Sequence, residues 1–526
     1  MHSINILDCT LRDGAYVVDT AFGENGIKKI IESLNIAGID IIECGFLKNK
    51  CGEPGSTVFR TPSDLLPYLK QYNSKSKYVL MFDAGKYDVS QLEENKNIIW
   101  GIRDCFHKEF IEQALKDAAT IKQKGYRVFI QPTGILNYTD KELLDLIERT
   151  NQIGAFSFAI VDTFGSMNKR ELLRLVNLIG HNLEKDICLS FHSHNNLQMA
   201  YALSQDFIEL CHNQRDIIVD STVYGMGRGA GNTNTECLTE FLNNFYNRDY
   251  NTNSLLDLIE SSILQIFANH PWGYSIRNFV AGINGCHVDN ISYLYDKGTI
   301  PSKDVKTILE SIPKKFKAHF NADIIENATV SYYENAINDT ADITSLKESF
   351  KGKDVLLICP GKTIKDYQKI NQFIKSFNGN SISINFIPDH ISVGYIFCGN
   401  LNRYKNISYN TNLKIISTSN IHDDRPDFIV NFMSLISRGH KFYDNSMIMC
   451  LKLMDILEVD NIYLAGFDGY SSREVNYFDS EIERCNIMRD TELLNYEIGQ
   501  MFLEFKINMK KKRKINFITM SKFEGV

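Results

Sequence analysis

Eight short apolar segments alternate with helix-like segments over the first 285 residues, and this alternation constrains the fold more strongly than any other feature. Near-continuous apolar runs are typical of parallel strands that are buried on both faces. The stretches between them, such as "NKRELLRLVNLIGHNLEK", have apolar residues at three- and four-residue spacing, as amphipathic helices do. Eight such units predict a (β/α)8 TIM barrel over residues 1–285. An open doubly wound sheet is the alternative, but such sheets rarely contain eight units this regular.

Polar and ionisable residues gather where the predicted strands end. The active site of a TIM barrel lies at the C-terminal ends of its strands, so these residues are expected to share one face. The predicted strands are "INILDCT", "IDIIECGF", "YVLMFDA", "NIIWGIRD", "YRVFIQPTG", "FSFAIVDTFG", "ICLSFHSH" and "DIIVDSTVYG". The residues at their ends are Arg12, Asp13, Glu43, Asp83, Arg103, Thr133, Asp162, His192 and His194, followed by a glycine-rich turn after the eighth strand.

The second half of the chain predicts a smaller, separate α/β domain. A helical extension or linker is expected over residues 286–349, followed by a Rossmann-like α/β domain over 350–526. "PGKT" is not a phosphate-binding P-loop, because Leu356 stands where that motif needs a glycine. The role of this domain stays open between a second active site, a substrate-presenting part and an oligomer-forming part. Its predicted strands are "DVLLICPGKTI", "SISINFI", "YIFCGN", "LKIISTS" and "DNIYLAGFDGYSS".

Composition narrows the class of protein. The 526 residues are 44% hydrophobic and 23% charged, with a net charge of -7, so neither a nucleic-acid nor a membrane partner is expected. Twelve cysteines occur without CxxC pairs, which is typical of free thiols in a reducing cytoplasm. The basic run over 510–514 is interpreted as a solvated face or a strand entry. We therefore expect a cytoplasmic enzyme that acts on small molecules.

Two histidines and two oxygen donors predict a metal site. His192 and His194 point the same way from one strand, because residues i and i+2 share a face. Asp13 follows Arg12 after the first strand, and Asn232 lies in the glycine-rich segment "YGMGRGAGNTNTE". Mixed nitrogen and oxygen donors suit manganese, cobalt, iron or zinc, and magnesium at high concentration. The structural alternatives are a surface strand that carries its histidines without function and an Asp13 that only caps a turn.

A metal with four protein ligands keeps open positions that a 2-keto acid is able to fill through its carboxylate and keto oxygens. The metal would then stabilise an enolate as a Lewis acid, and Arg12 would offer hydrogen-bond donors where negative charge grows.

The segments "TLRDG", "IIECGF", "VDTFGSM", "SFHSHNN" and "GMGRGAGNTNTE" resemble, in this order, those of the DRE-TIM metallolyase (HMGL-like) superfamily over about residues 4–285. The resemblance is greatest to 4-hydroxy-2-oxovalerate aldolase-like proteins of polysaccharide gene clusters. It implies a TIM barrel in which Asp13, His192, His194 and Asn232 hold a divalent metal. It also implies that Arg12 steadies the enolate oxygen.

Tyr16 departs from the aldolase pattern, which has a histidine at this position. A phenol with a pKa near 10 is a poor base at neutral pH, so Tyr16 is a candidate catalytic residue that alternatively hydrogen-bonds the substrate or packs. His107, in "RDCFHKEF", is a second candidate for the base or else a polar residue that opens a helix. His270, in "NHPWGYS", is equally open between a base and a turn cap.

The leading functional hypothesis is a metal-dependent aldolase that joins or separates a pyruvate-type enolate and an aldehyde, in surface-polysaccharide or sugar metabolism. Mn²⁺ is the expected cofactor, with Mg²⁺, Co²⁺ or Zn²⁺ as alternatives. Other functional hypotheses are a Claisen-type acyltransferase that joins an acyl-CoA to a 2-keto acid, and a non-catalytic barrel whose C-terminal domain binds a glycan precursor. We expect a keto acid and an aldehyde as partners, and a homo-oligomer. The residues expected to bind substrate are Glu43, Arg103, Thr133, Asp162 and Thr163.

Overall fold

The computed structural model describes residues 2–69, 75–296, 300–334, 337–407, 412–440, 442–472, 475–479 and 490–526. The chain divides into two compact units. The first contains Met1–Ile291 and Pro313–Phe320, and the second contains Ser292–Ile312 and Asn321–Val526. The helical segment predicted over 286–349 is therefore shared between the two units.

The first unit is a closed parallel barrel, which confirms the predicted TIM barrel. Its sheet has the order β1-β9-β8-β7-β6-β5-β4-β2-β3, and β1 also pairs with β2, so that eight strands close and the two-residue β3 stays outside. Each of the eight predicted runs forms one barrel strand. The strands are β1 Ile4–Asp8, β2 Ile41–Leu47, β3 Val58–Phe59, β4 Lys77–Asp83, β5 Gly101–Phe106, β6 Arg127–Pro132, β7 Ser157–Asp162, β8 Cys188–Ser193 and β9 Ile217–Ser221.

The strands are buried on both faces, as their apolar sequences require. In β1, Ile4 and Ile6 pack into the layer between strands and helices, whereas Leu7 points into the barrel. Phe129 of β6 and Ile218 of β9 fill the same interior cluster. The core of the unit therefore has an inner layer within the barrel and an outer layer beneath the helices.

Helices surround this barrel and follow its strands in sequence. Asn168 caps α4 by accepting hydrogen bonds from the backbone N–H groups of Arg170 and Glu171. A π-helical segment, Ile259–Ile263, joins α7 and α8. The helices of the first unit are α1 Glu24–Ala37, α2 Ile111–Gln123, α3 Asp140–Ile153, α4 Lys169–Asn182, α5 Ala200–Cys211, α6 Thr235–Tyr246, α7 Thr252–Leu258, α8 Leu264–Asn269 and α9 Ile276–Asn284, and α10 Val288–Asp296 leads out of it.

The second unit contains a seven-stranded sheet in the order β14-β13-β12-β11-β10-β15-β16, parallel throughout. This confirms a second α/β domain. The strands are β10 Val355–Ile358, β11 Asn380–Ile384, β12 Tyr395–Cys398, β13 Lys414–Thr418, β14 Phe428–Val430, β15 Ile462–Ala465 and β16 Ile515–Phe517. The helices are α11 Ser302–Ser311, α12 Ala322–Glu334, α13 Thr340–Phe350, α14 Tyr367–Ser376, α15 Leu401–Tyr404, α16 Phe432–Leu435, α17 Ser446–Ile456 and α18 Thr491–Asn508.

Two strands of this sheet were not predicted from the sequence. Both β14 and β16 have three residues, which is too short for a periodic pattern, and both lie at the edges of the sheet. The basic run over 510–514 leads directly into β16, and Arg513 in it is buried against Asp455 at 2.8 Å. In the part of the chain that the structure describes, no helix is long and apolar enough to cross a membrane.

Candidate active site

A cavity opens at the C-terminal ends of the barrel strands, where the sequence places the candidate residues. Its wall includes nine of the predicted residues. These are Arg12, Asp13, Tyr16, Asp83, His107, Thr133, Thr163, His192 and His194.

Asp13, His192 and His194 form a cluster with the geometry of a metal site. One ligand atom from each residue lies within 4.8 Å of the others. Asp13 Oδ2 is 3.4 Å from His192 Nε2 and 3.7 Å from His194 Nε2. Because both imidazoles leave β8 on the same side, their Nε2 atoms converge on one carboxylate oxygen. Three donors thus surround one point.

Asn232 lies next to this cluster and is the candidate for a fourth donor. It forms a β-bridge with His194, and its buried Oδ1 has no hydrogen-bond partner in the described structure, while its Nδ2 donates to the carbonyl of Met226. A buried amide oxygen without a partner is costly unless a ligand uses it. Gly227 leaves room for this arrangement, since a Cβ there would lie 2.1 Å from Asn232 Nδ2 and 2.9 Å from Asp13 Oδ1. The donor set fits a divalent metal.

Both histidines are held in the tautomer that metal binding requires. His192 Nδ1 lies 2.8 Å from Asp220 Oδ2, and His194 Nδ1 lies 3.0 Å from the main-chain oxygen of Asp162. Since these partners accept hydrogen bonds, each Nδ1 carries the proton and each Nε2 presents its lone pair. A second cluster of Cys9, His192 and Asp220 is less suited to a metal, because burial raises the pKa of the Cys9 thiol well above its usual range.

A series of buried ion pairs, called the charge chain below, connects to the Asp13–His192–His194 cluster. Arg12 donates from Nε to Glu43 at 2.7 Å and from an NH group to Asp13 at 2.6 Å. Arg103 donates to Glu43 at 2.9 Å and is also bonded to Asp220. Three carboxylates therefore face two guanidinium groups, which leaves one negative charge to be balanced by a protonated His192 or by a bound cation.

The pKa values of the cluster reflect this charge distribution. Burial opposes ionisation of Asp13, but Arg12 and the two histidines outweigh burial and hold the pKa of Asp13 well below its usual range. Burial also disfavours protonation of His192, yet Asp13 and Asp220 raise its pKa. Burial lowers the pKa of His194 to about 4. Asp13 is therefore an anion and His194 a neutral ligand at pH 7.

The five predicted substrate-binding residues lie in three different places. Thr133 and Thr163 line the cavity. Glu43 and Arg103 lie beneath it in the charge chain, fully buried. Asp162 accepts hydrogen bonds from the backbone N–H groups at 166 and 167, so its side chain holds the loop after β7. A role in substrate binding stays a prediction for all five.

Tyr16 borders the cavity through its ring. The ring packs against Phe46 with centroids 5.5 Å apart, and the Arg228 guanidinium lies 5.2 Å from its centroid. Burial raises the pKa of the Tyr16 phenol. The hydroxyl therefore stays protonated at neutral pH and is able to donate a hydrogen bond but not to act as a base.

Three other histidines line the cavity, and His270 is not among its lining residues. His107 and His319 lie edge to face with ring centroids 4.4 Å apart, and His319 is 3.0 Å from Glu109. His287 follows α9, and its Nδ1 accepts from the backbone N–H of Asp289 at 3.3 Å. The sequence reading did not single out His287, His319 or Asp220. Of these three, Asp220 has the clearest signal in the sequence, because it is the one charged residue inside the apolar run "IIVDS" of β9.

Fold and site together define a TIM barrel with an Asp-His-His-Asn cluster and a buried arginine at its C-terminal face. Residues 101–261 match the HMGL-like family model, which confirms the predicted resemblance to the DRE-TIM superfamily.

Relatives of the chain include lyases of this superfamily. Oxaloacetate decarboxylase of Mycobacterium tuberculosis is 26% identical over 245 residues, which cover 45% of this chain and 69% of the relative. The 4-hydroxy-2-oxovalerate aldolase of Geobacillus genomosp. 3 is 26% identical over 251 residues, covering 46% and 70%. The 4-hydroxy-2-oxovalerate aldolase of Chloroflexus aurantiacus is 25% identical over 278 residues, covering 51% and 77%.

Replacing Gly227 by alanine is expected to weaken metal binding without unfolding the barrel. The new methyl group would displace the Asn232 amide and the Asp13 carboxylate, and a disturbed ligand shell lowers metal affinity by about 10- to 100-fold. Isothermal titration with Mn²⁺ measures the change directly. Gly180→Ala in α4 is the matched control, because nothing lies within 4 Å of its added Cβ. Equal Mn²⁺ affinity in both variants would contradict the proposed ligand set.

Asp162 is expected to make barrel stability depend on pH. Burial raises its pKa to about 7, above the value of about 3.9 in an unfolded chain. The folded state therefore holds the proton more tightly, and its contribution is complete below about pH 4 and is lost as the pH rises to 7. At about 1.4 kcal/mol per pKa unit, the loss reaches up to about 4 kcal/mol.

Urea unfolding followed by tryptophan fluorescence tests this, because both tryptophans, Trp100 and Trp272, lie in the first unit. Asp162→Asn should remove this downward slope relative to the unmodified chain. The difference between the two proteins is the useful quantity, since His194 contributes a slope of opposite sign. Asp206→Asn on α5 keeps Asp162 and should keep the slope. Identical profiles for Asp162→Asn and the unmodified chain would show that Asp162 does not titrate in this range.

Proposed function

We propose that this protein is a divalent-metal-dependent aldolase that forms or cleaves a carbon–carbon bond between a pyruvate-type enolate and an aldehyde. The observation that carries the proposal is the convergence of Asp13, His192 and His194 in a cavity that Arg12 also lines, with the unpartnered, buried oxygen of Asn232 next to this cluster. The relatives' names support the same chemistry. Oxaloacetate without its carboxylate at C4 is pyruvate, and an aldol cleavage of 4-hydroxy-2-oxovalerate also leaves pyruvate.

Asp13, His192, His194 and Asn232 would hold a divalent cation, which would supply Lewis-acid stabilisation of an enolate oxygen. Arg12 adds hydrogen-bond donors from the protein. Its Nε donates to Glu43 and its Nη1 donates to Asp13. Its Nη2 has no hydrogen-bond partner in the described structure. Arg12 also lines the cavity. A guanidinium fixed at two points and open at the third is suited to an oxygen on which negative charge develops.

His107 is the base that the geometry favours for the aldol hydroxyl group. Thr133 donates its hydroxyl proton to the carbonyl of Phe106 at 3.0 Å, so its oxygen accepts from His107 Nδ1 at 2.9 Å. His107 Nδ1 therefore carries the proton, and Nε2 keeps a lone pair. Burial and the neighbouring His319 lower the pKa of His107, which keeps its ring neutral at pH 7. A neutral imidazole with a fixed tautomer is an effective general base.

His287 has the opposite tautomer. Its Nδ1 accepts the backbone N–H of Asp289, so its Nε2 carries the proton. Burial lowers the pKa of His287 to about 4, which keeps this tautomer neutral at pH 7. Its Nε2–H is thus a hydrogen-bond donor in the wall that also holds His107, suited to a substrate carbonyl or carboxylate.

The enolate site is tested by exchange of the methyl protons of pyruvate in heavy water. Added Mn²⁺ should speed the loss of the methyl signal in the proton NMR spectrum, and Asp13→Ala should abolish this acceleration because it removes the anionic ligand. Asp206→Ala, a surface carboxylate variant, should exchange like the unmodified protein. No acceleration with Mn²⁺, Mg²⁺, Co²⁺ or Zn²⁺ would contradict a pyruvate enolate.

The role of His107 is tested by comparing two cleavage reactions. His107→Gln should lower kcat for 4-hydroxy-2-oxovalerate cleavage by about 100-fold or more, because the hydroxyl proton loses its acceptor. Decarboxylation of oxaloacetate has no hydroxyl proton to remove, so its rate should change little in the same variant. His181→Gln on the exposed face of α4 serves as the control variant. Equal losses in both reactions would assign His107 to binding or structure instead of proton transfer.

A further inference from the structure

The sheet of the second unit has a point at which the strand order reverses. From β10 the chain adds strands outward on one side as far as β14, and then returns to place β15 on the other side of β10. In open parallel sheets, ligands bind beyond the C-terminal ends of the strands at such a switch point, because the loops on either side diverge and leave a crevice.

A cavity occupies this point. Gly361 follows β10, Asn385 follows β11, Asn400 follows β12 and Asp468 follows β15, and all four line it. The two loops nearest the switch lie very close together, since a Cβ on Gly361 would be 2.3 Å from the carbonyl oxygen of Gly466. The cavity is therefore built from the loops that the strand order predicts.

One side of the cavity is rich in hydrogen-bond donors. The Oδ1 atoms of Asn385, Asn400 and Asn445 accept backbone N–H groups of Gly399, Arg403 and Ile448, at 3.1 to 3.2 Å. With its oxygen used in this way, each amide keeps its NH2 group as a hydrogen-bond donor. The three asparagines, which form the asparagine wall, thus bring amide donors to the cavity lining.

Two further features make this wall favourable for an anion. The guanidinium of Arg403 is buried and stacks 5.1 Å from the ring centroid of Tyr477. Asn445 and Ser446 form the start of the 11-residue helix α17, which packs beside β11 and β12. Helix N-termini attract negative charge through their free N–H groups.

Other residues of the cavity lining have a different chemistry. Asp468, after β15, accepts two hydrogen bonds from Thr363 and keeps lone pairs for hydroxyl donors. The rings of Tyr470, Tyr477 and Phe442 also line the cavity. A carboxylate beside aromatic rings is suited to a hydroxylated ring, which stacks on the aromatic faces and donates its hydroxyl groups to the carboxylate.

We propose that the second unit binds a phosphate ester of a hydroxylated ring, with the phosphate at the asparagine wall and the ring beside Asp468. Sugar phosphates and nucleoside monophosphates share this chemistry. The site lies wholly within the second unit and does not depend on the function of the barrel.

Isothermal titration of the full chain tests the proposal. The probes are glucose 1-phosphate, the four common ribonucleoside monophosphates and inorganic phosphate. At least one of the ring phosphates should bind with a Kd below about 1 mM and more tightly than inorganic phosphate, and the class that binds identifies the ring. No binding by any ring phosphate, or equally tight binding of inorganic phosphate, would overturn the proposal.

Aspartate substitutions locate the site without removing the local structure. Asn385→Asp, Asn400→Asp and Asn445→Asp keep the oxygen that accepts the backbone N–H, and aspartate caps a helix as well as asparagine does. Each replaces an amide donor by a negative charge and should weaken binding at least about tenfold. Asn168→Asp makes the same change at the cap of α4 in the barrel and should have no effect. Because the three positions lie on three loops, a variant that fails to fold leaves two that decide. Unchanged affinity in the folded variants would place the ligand elsewhere.

Discussion

The barrel depends on one buried chain of charges that runs from Arg12 through Glu43, Arg103 and Asp220 to His192. These residues belong to five different segments: the turn after β1, and strands β2, β5, β9 and β8. A buried ion pair is stable only when each member keeps its partner, and loss of one leaves an uncompensated charge in a medium of low polarity. The contacts that hold the C-terminal face of the barrel together are therefore the contacts that orient the cluster.

Environment gives chemically identical side chains different roles in this site. Five histidines line one cavity, and in four of them the Nδ1 atom is bonded to a different kind of partner. A carboxylate and a main-chain carbonyl fix the protons of His192 and His194, a threonine hydroxyl fixes that of His107, and a backbone N–H reverses the tautomer of His287. The hydrogen-bond partner of Nδ1, more than the position of the histidine in the sequence, decides whether Nε2 offers a lone pair or a proton.

The sequence was informative where structure is periodic and less so where it depends on distant contacts. All eight barrel strands follow from apolar runs, and His192 and His194 follow from the two-residue period of a strand. The position of His287 and His319 in the cavity wall does not follow from the sequence pattern. Both residues lie outside the strands and reach the cavity only through the fold of the chain. Glu43 and Arg103 were recognised as polar strand residues. Their burial beneath the cavity depends on partners as much as 117 positions away, as Asp220 is from Arg103, and no local pattern reports such partners.

The short segment Pro313–Phe320 belongs to the first unit although the 21 residues Ser292–Ile312 before it belong to the second. It brings His319 and Phe320 into the cavity wall, and it is tied back to the barrel by Asn290, whose amide donates to the carbonyls of Lys317 and His319. The polypeptide thus crosses between the units three times. No single peptide bond separates them, and a fragment that stops at the last barrel helix would have an active-site wall with a piece missing. In genetic terms the two units cannot be exchanged by recombination at one junction, because a single crossover would remove part of the cavity wall of one unit or part of the other unit.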